Sequence, residues 1–355
     1  MKKALIAMSG GVDSSVAAKL IVDKGYECIG CTMKLYDNNI DSVLGGRTCC
    51  SVDDVEDARS VAYKLGMPYY VFEFTSDFGK KVIQKFVESY EAGITPNPCI
   101  DCNRYMKFDK LYSRAQILGY NYVVTGHYAR IEYDGKYYLL KKALDETKDQ
   151  SYVLYSMTQG QLAHTLFPLG NLRKTQTRQI AVNNGFLNAK KPDSQDICFV
   201  PNGDYASVIK QYTGKKPESG HFVDKDNTVL GFHKGIIHYT VGQHKRLGLS
   251  LSEPMFVCKI NPKDNTITLG KEIDLYQSQA NVKDFNWISG IVPYNAIRCK
   301  VKIRYRQQEK WATVVPTADD SVYIIFDEPQ RAISPGQAAV LYDGDIVLGG
   351  GTIVQ

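Results

Sequence analysis

The residues best suited to chemistry in this chain begin with the run Ser9-Gly10-Gly11-Val12-Asp13-Ser14. Two adjacent glycines lack a Cβ, so the backbone there can take tight φ/ψ values and come close to a ligand. Asp13, Ser14 and Ser15 stand where the cap and first turn of a helix belong, at a positive end whose unpaired N–H groups favour phosphate or pyrophosphate. The run lacks the Gly-Lys-Ser/Thr ending of a Walker A loop, which argues against ordinary γ-phosphate transfer. A second group is thiol chemistry. Cys99-Ile100-Asp101-Cys102 lies within Thr95–Asn103, and Cys198 lies within the polar stretch Asp193–Phe199. A Cys-x-x-Cys pair in a reducing compartment acts as a redox or sulfur-relay pair, or supplies half a metal site. A third group is cationic. Lys300, Lys302, Arg304 and Arg306 alternate with Val301, Ile303 and Tyr305, which at period two puts the cations on one strand face. Four like charges on one face repel unless a polyanion lies alongside, and Arg298 and Lys310 extend the cluster.

These groups need elements to position them. The apolar segment Ala4–Met8 precedes the Gly-rich run, and Val16, Ala17, Leu20 and Ile21 follow at helical spacing, so a strand feeds a turn that opens a helix. Further strands are expected over Glu27–Met33, Tyr69–Phe74 and Tyr122–Thr125, and helices over Val52–Leu65, Phe78–Tyr90 and Lys107–Leu118. Such alternation implies a parallel sheet covered on both faces, with ligands beyond the carboxyl ends of its strands. The two prolines of Thr95–Asn103 predict a loop there, and Asp134-Gly135 predicts a hairpin turn. From about residue 203 short alternating segments separated by Gly, Asn, Asp and Pro predict small β domains, including a strand over Ile297–Arg306. The expected fold class is α/β: a parallel-sheet nucleotide-binding domain over 1–202, a central β-rich domain over 203–276 and a C-terminal β-barrel over 277–355.

Composition sets the context. A net charge of +5 is mild, so any nucleic-acid surface must come from where the charges sit. The apolar stretch after Met1-Lys2-Lys3 is too short for a signal peptide, and no apolar run approaches membrane-spanning length. With nine cysteines, an odd number, this points to a cytoplasmic protein with no membrane partner. Cys28, Cys31, Cys258 and Cys299 fall in apolar strand patterns and read as buried small hydrophobes. The adjacent Cys49 and Cys50 are ambiguous.

Taken with its context, Ser9–Ser14 resembles the signature of the ATP pyrophosphatase superfamily, which splits ATP to AMP and pyrophosphate while adenylating a substrate oxygen. The ordered set NPCIDCNRYMKF at 97–108, TGHYAR at 125–130, KDQSYVL at 148–154, DSQDICF at 193–199 and YTVGQHKRLGL at 239–249 is similar to the tRNA-specific 2-thiouridylase family from end to end. The resemblance implies ATP-dependent replacement of the C2 oxygen of a tRNA wobble uridine by sulfur, with magnesium screening the phosphates. It implies that Ala7, Met8, Ser9, Gly10, Gly11, Val12, Asp13, Ser14, Met33 and Gly126 line the nucleotide site. It makes Cys198 the persulfide carrier, loaded by a sulfur-donor protein, and Cys102 the nucleophile that releases sulfur or forms a disulfide with Cys198. Asn97, Pro98 and Cys99 then approach the target base, and His127, Lys148, Asp149, Gln150, Arg304, Tyr305 and Gln337 touch tRNA. Taken alone, His127 reads more readily as a satisfied structural histidine; its Gly-His context is what selects it.

One departure stands out: position 99 is Asp in well-known members and Cys here. That leaves Cys99, Cys102 and Cys198 as ligands for a possible iron–sulfur cluster, an alternative route to tRNA thiolation. Rival readings are a small-molecule ATP pyrophosphatase and an iron–sulfur or redox-sensing RNA-binding module.

Overall fold

The computed structural model describes residues 1–36, 52–193, 197–200, 203–317 and 319–354. Cys49, Cys50 and residues 194–196 of the DSQDICF motif lie outside the described residues. The chain is α/β. Strands β1 (Lys3–Ala7), β2 (Glu27–Lys34), β3 (Tyr69–Glu73) and β4 (Tyr122–Val124) are followed by the hairpin β5 (Arg130–Tyr133) and β6 (Tyr138–Lys141) and by the short β7 (Thr165–Leu166). Five of these form a sheet in the order β3-β2-β1-β4-β7, with every pairing parallel. The strand order reverses at β1, so the crevice past its carboxyl end is where such sheets hold ligands. Period-two alternation along β1 loads both faces. Leu5 enters one core with Ile29, Cys31 and Val123, whereas Ala4 and Ile6 enter the other with Cys28, Val16 and Val124. Cys28 and Cys31 therefore point to opposite faces, both buried, and burial pushes the Cys28 thiol up to about 11.

The Thr95–Asn103 stretch is not a loop throughout. Asn97 caps a helix with Pro98 at its first position, and helical backbone runs over 98–117, with a π-helical stretch at Cys102–Lys110. Proline is favoured at that first position because the N–H it lacks has no intrahelical partner there. Reading two prolines only as helix breakers missed this.

The β-rich half forms separate sheets. Strands β8 (Gly220–Val223), β9 (Val229–His233), β10 (Phe256–Asn261) and β11 (Thr266–Gly270) pair in the order β10-β11-β8-β9 over a core of Phe222, Val257, Ile267 and Leu269. Strands β12 (Tyr276–Trp287), β13 (Ile297–Lys302), β14 (Lys310–Thr317), β15 (Ser321–Arg331), β16 (Ala338–Asp343) and β17 (Ile346–Val354) close into a barrel through the β12–β17 pairing. The β5–β6 hairpin docks onto this barrel at Lys141–Ile346. Cys299, Val301 and Ile303 fill the barrel core, as the period-two pattern predicts. The strand stops at Lys302, four residues short of expectation, so Arg304 and Arg306 belong to the turn that follows. Among the described residues, no helix is long and apolar enough to cross a membrane.

Candidate nucleotide and thiol site

The Ser9–Ser14 loop leaves β1 and opens the helix Val12–Asp23. Gly10 has φ +70°, and a Cβ on it would lie 2.3 Å from the Asp54 carbonyl oxygen, so the turn admits only glycine. Gly11 is the N-cap and brings no side-chain cap, which leaves the first-turn N–H groups to a ligand. The loop is braced from within: the Ser14 and Ser15 hydroxyls both donate to the Gly11 carbonyl at 3.0 Å, and the Ser9 N–H donates to Ser14 Oγ at 3.2 Å. Thr32 of β2 donates to the Met8 carbonyl at 2.6 Å, and Asn188 Nδ2 donates to the Gly10 carbonyl at 2.9 Å. Gly126 crosses so closely that a Cβ there would lie 2.7 Å from the Ser14 nitrogen. Met33 packs at the edge of the core that also receives Phe199 and Val200.

Asp13 is held by groups that the sequence reading did not single out. Lys174 Nζ donates to both Asp13 carboxylate oxygens, at 2.7 and 2.8 Å, and the Tyr128 hydroxyl donates at 2.9 Å. The same ammonium lies 2.8 Å from Asp193, which also receives Lys148 Nζ at 2.8 Å and Arg178 Nη2 at 2.7 Å. Burial by itself would raise the Asp193 pKa, but hydrogen bonds from Lys148 and Lys174 and their charges hold it at about 2. Lys174 carries no motif signal in a single sequence; only folding reveals it.

The thiols divide into two environments. Cys102 and Cys198, distant in sequence, both pack at the edge of the core cluster that contains Leu5, Phe86 and Met106. Cys99 is exposed on the first turn of the helix, with its N–H bonded to the Asn97 side chain at 3.2 Å. It lies near enough to Tyr305 to help raise that phenol's pKa, behind the larger effects of burial and Asp149. Among the described residues, no group of three or more His, Cys, Asp or Glu side chains is gathered as a metal site. Cys99, Cys102 and Cys198 thus do not form such a group among the described residues.

The residues expected at tRNA take several different places. The Tyr305 hydroxyl donates to the Asp149 carbonyl at 3.2 Å. The Asp149 carboxylate accepts from the Ala143 and Ser151 backbone, and the Gln150 side chain accepts from the Tyr128 N–H, so both hold the 148–150 turn in shape. Gln337 Nε2 donates to the Thr95 carbonyl at 2.8 Å and so braces the chain leading to Asn97 and Pro98. Arg304 turns inward: its Nη2 donates to the Val241 and Ala332 carbonyls and to Ser334 Oγ, joining the central sheet to the barrel. Arg306 is exposed.

His127 is buried, its Nδ1 2.6 Å from Thr125 Oγ1 and its ring against Phe108 and Phe167. The ring is packed into the protein rather than presented at its surface. Burial, with the Lys107 ammonium adding to it, depresses its pKa well below 6.5. The sign follows: neutral His127 contributes stability that is fully present above pH 6.5 and lost as the pH falls toward its folded pKa. The melting temperature of His127→Gln should therefore fall less steeply below pH 6.5 than that of the wild type, as calorimetry at several pH values would show.

Comparisons with known proteins bear on all three parts of the chain. The tRNA methyl transferase HUP domain family matches residues 2–202, the tRNA methyl transferase PRC-barrel domain family residues 206–271, and the aminomethyltransferase β-barrel domain family residues 277–353. A tRNA-specific 2-thiouridylase of Clostridioides difficile is 50% identical over 356 residues, covering 99% of this chain and 98% of the relative. A tRNA-specific 2-thiouridylase of Acetivibrio thermocellus is 50% identical over 357 residues, covering 99% of each. Among solved structures, the NMN synthetase of Francisella tularensis superposes with a TM-score of 0.34 at 18% identity, over 61% of this chain and 79% of that one.

Proposed function

The chain belongs to the tRNA-specific 2-thiouridylase family, and from that premise we propose that it thiolates the wobble uridine of tRNA through an adenylated intermediate and a cysteine persulfide. The reading is supported by two features of the parallel-sheet domain. A glycine-only turn with uncapped N–H groups ends β1, while Cys102 and Cys198 share the core cluster packed on the same sheet. A uridine carbonyl oxygen is a poor leaving group and must be activated first. In the first step the C2 oxygen attacks the α-phosphorus of ATP; the new P–O bond forms as the bond to the β-phosphate oxygen breaks, and pyrophosphate leaves against the Ser9–Ser14 loop. In the second, the terminal sulfur of a Cys198 persulfide attacks C2 and AMP departs with the original oxygen. In the third, the Cys102 thiolate attacks the Cys198 sulfur, the sulfur–sulfur bond breaks, and the transferred atom remains on C2. The two cysteines end as a disulfide, so a thiol reductant and a persulfide donor protein are needed for each further turnover. A reducing cytoplasm, the compartment that the cysteine usage suggests, would supply such a reductant.

Pyrophosphate release measured with and without tRNA tests the first step. Release that requires tRNA supports adenylation, and ATP hydrolysis to ADP contradicts it. The turn after β13 makes a separate prediction. Arg306→Ala should lower the slope of log affinity for tRNA against log salt by about one unit, as loss of one phosphate contact does. Arg304→Ala should instead cost about 1–3 kcal/mol of stability, because the Val241 and Ala332 carbonyls lose their charged donor. Salt titrations and thermal melts of the two variants distinguish these effects.

A further inference from the structure

The helix that carries Cys99 and Cys102 has two unlike surroundings. Cys102 packs against the core cluster that contains Leu5 and Phe86, whereas Ile100, Asp101 and Arg104 line a cavity of about 610 Å³ where the parallel-sheet domain, the central sheet and the barrel meet. Ile260 of β10 and Ile353 of β17 line it from the other two domains. A helix backed by a cavity is not fixed on that side by close packing, so polar bonds must hold it there. Arg104, two residues after Cys102, makes one across to the barrel. Both nitrogens of its guanidinium fork donate to the Asp284 carboxylate, Nη1 to Oδ2 and Nη2 to Oδ1, the latter at 3.1 Å. A two-pronged pair of this kind fixes orientation as well as distance. The barrel is shaped to make it. Asp284 lies where the β12–β17 register shifts, between Lys283 and Asn286, and holds φ +51°. Positive φ is uncommon outside glycine and persists where the surroundings impose it, and a bulge re-aims the side chains it carries. From the same bulge Asn286 Nδ2 donates to the Tyr155 and Met157 carbonyls at 2.6 and 3.1 Å. A Cβ on Gly350 of β17 would lie 2.6 Å from the Tyr155 ring, so the two domains meet closely beside the cavity.

We propose that Arg104 and Asp284 are positioning residues, a strap by which the barrel sets the helix that carries Cys102 and so the presentation of that thiol to Cys198. The inference rests on reading Cys102 and Cys198 as a relay and adds to it a bond between two domains. The side chains of the pair are 33% and 54% exposed, so the bond contributes little to global stability, and its effect is on geometry. It acts on one step of the reaction. Resolution of the persulfide needs Cys102 at Cys198, whereas adenylation needs the Ser9–Ser14 loop, which leaves β1 and opens a different helix.

The test is the thiol–disulfide equilibrium of the full-length protein with glutathione. The Cys102 and Cys198 thiols are oxidised to a disulfide as one glutathione disulfide is reduced to two thiols, and mass analysis of the linked peptide pair reads the extent. Asp284→Asn removes the charge and keeps a residue that tolerates positive φ. It should lower the equilibrium constant about tenfold, as should Arg104→Met, since misplacing a reacting group by about 1 Å can cost up to about 10²-fold. The double variant should be no worse than either single one, because one bond can be broken only once. Arg104→Lys, which keeps the charge without the fork, should fall between them and the wild type. Melting temperatures should stay within about 4 °C of the wild type, and tRNA-dependent pyrophosphate release within about twofold. An unchanged equilibrium constant in both single variants, losses that add in the double variant, or a parallel fall in pyrophosphate release and melting temperature overturns the strap and leaves the relay standing. If the wild type forms no Cys102–Cys198 disulfide at any glutathione ratio, the relay reading falls and takes the strap with it.

Discussion

Cys102→Ser and Cys198→Ser should each reduce tRNA thiolation by roughly 10³-fold or more, because a hydroxyl can neither carry a persulfide nor resolve one. Cys99→Ser should stay within about fivefold of the wild type, since in the proposed relay neither the persulfide nor the resolving thiol belongs to Cys99. The split follows from the proposed roles of the three cysteines. Cys102 and Cys198 lie against one core cluster, while Cys99 is exposed on the helix's first turn near Tyr305. Thiolated nucleoside formed per enzyme is the direct readout, and non-reducing mass analysis after one turnover should show the Cys102–Cys198 disulfide only in the wild type and Cys99→Ser. Equal loss in all three variants, with the wild type needing added iron and sulfide for activity, would favour the cluster chemistry that Cys99 suggests from sequence.

Asp13→Ala should lower tRNA-dependent pyrophosphate release by about 10²-fold while tRNA affinity stays within about twofold, consistent with the cost of losing a group that orients charge at a reacting phosphate. The Asp13 carboxylate links the helix N-terminus to Lys174 and Tyr128, so its loss leaves a cation without its partner beside the loop. Tyr305 and Arg306 belong to the turn after β13, a different element from the loop, and tRNA affinity should not follow the loop. Gly10→Ala is a blunter variant: a positive φ costs about 1–2 kcal/mol for an alanine, and its Cβ also meets the Asp54 carbonyl. It should reduce stability and activity together. Equal pyrophosphate release in Asp13→Ala and the wild type would remove the adenylation step from the proposal.

Some of this was legible in the sequence because a single local cause fixes it. The strand–turn–helix at residues 3–23 follows from an apolar run, two glycines and helical spacing, and the structure has it. The inward Cys299, Val301 and Ile303 follow from period-two alternation. Other features depend on contacts that no local pattern encodes. The strand ends at Lys302 and Arg304 turns inward because carbonyls of Val241 and Ala332 await it across the junction between the central sheet and the barrel. Lys174 is a helix-terminal lysine until folding sets it between Asp13 and Asp193. Asn97 and Pro98 were legible in principle, as a side-chain cap followed by proline at the first helical position, but counting prolines as breakers hid the cap.

The central claim, thiolation of tRNA uridine through adenylation, is tested most directly by nucleoside mass spectrometry of tRNA incubated with the purified protein, ATP, magnesium and a persulfide source. The account predicts 2-thiouridine confined to the wobble position, formed only when ATP is present, with one AMP and one pyrophosphate appearing per sulfur transferred. Thiolation that proceeds without ATP, or ATP consumption that yields ADP in place of AMP, would contradict it.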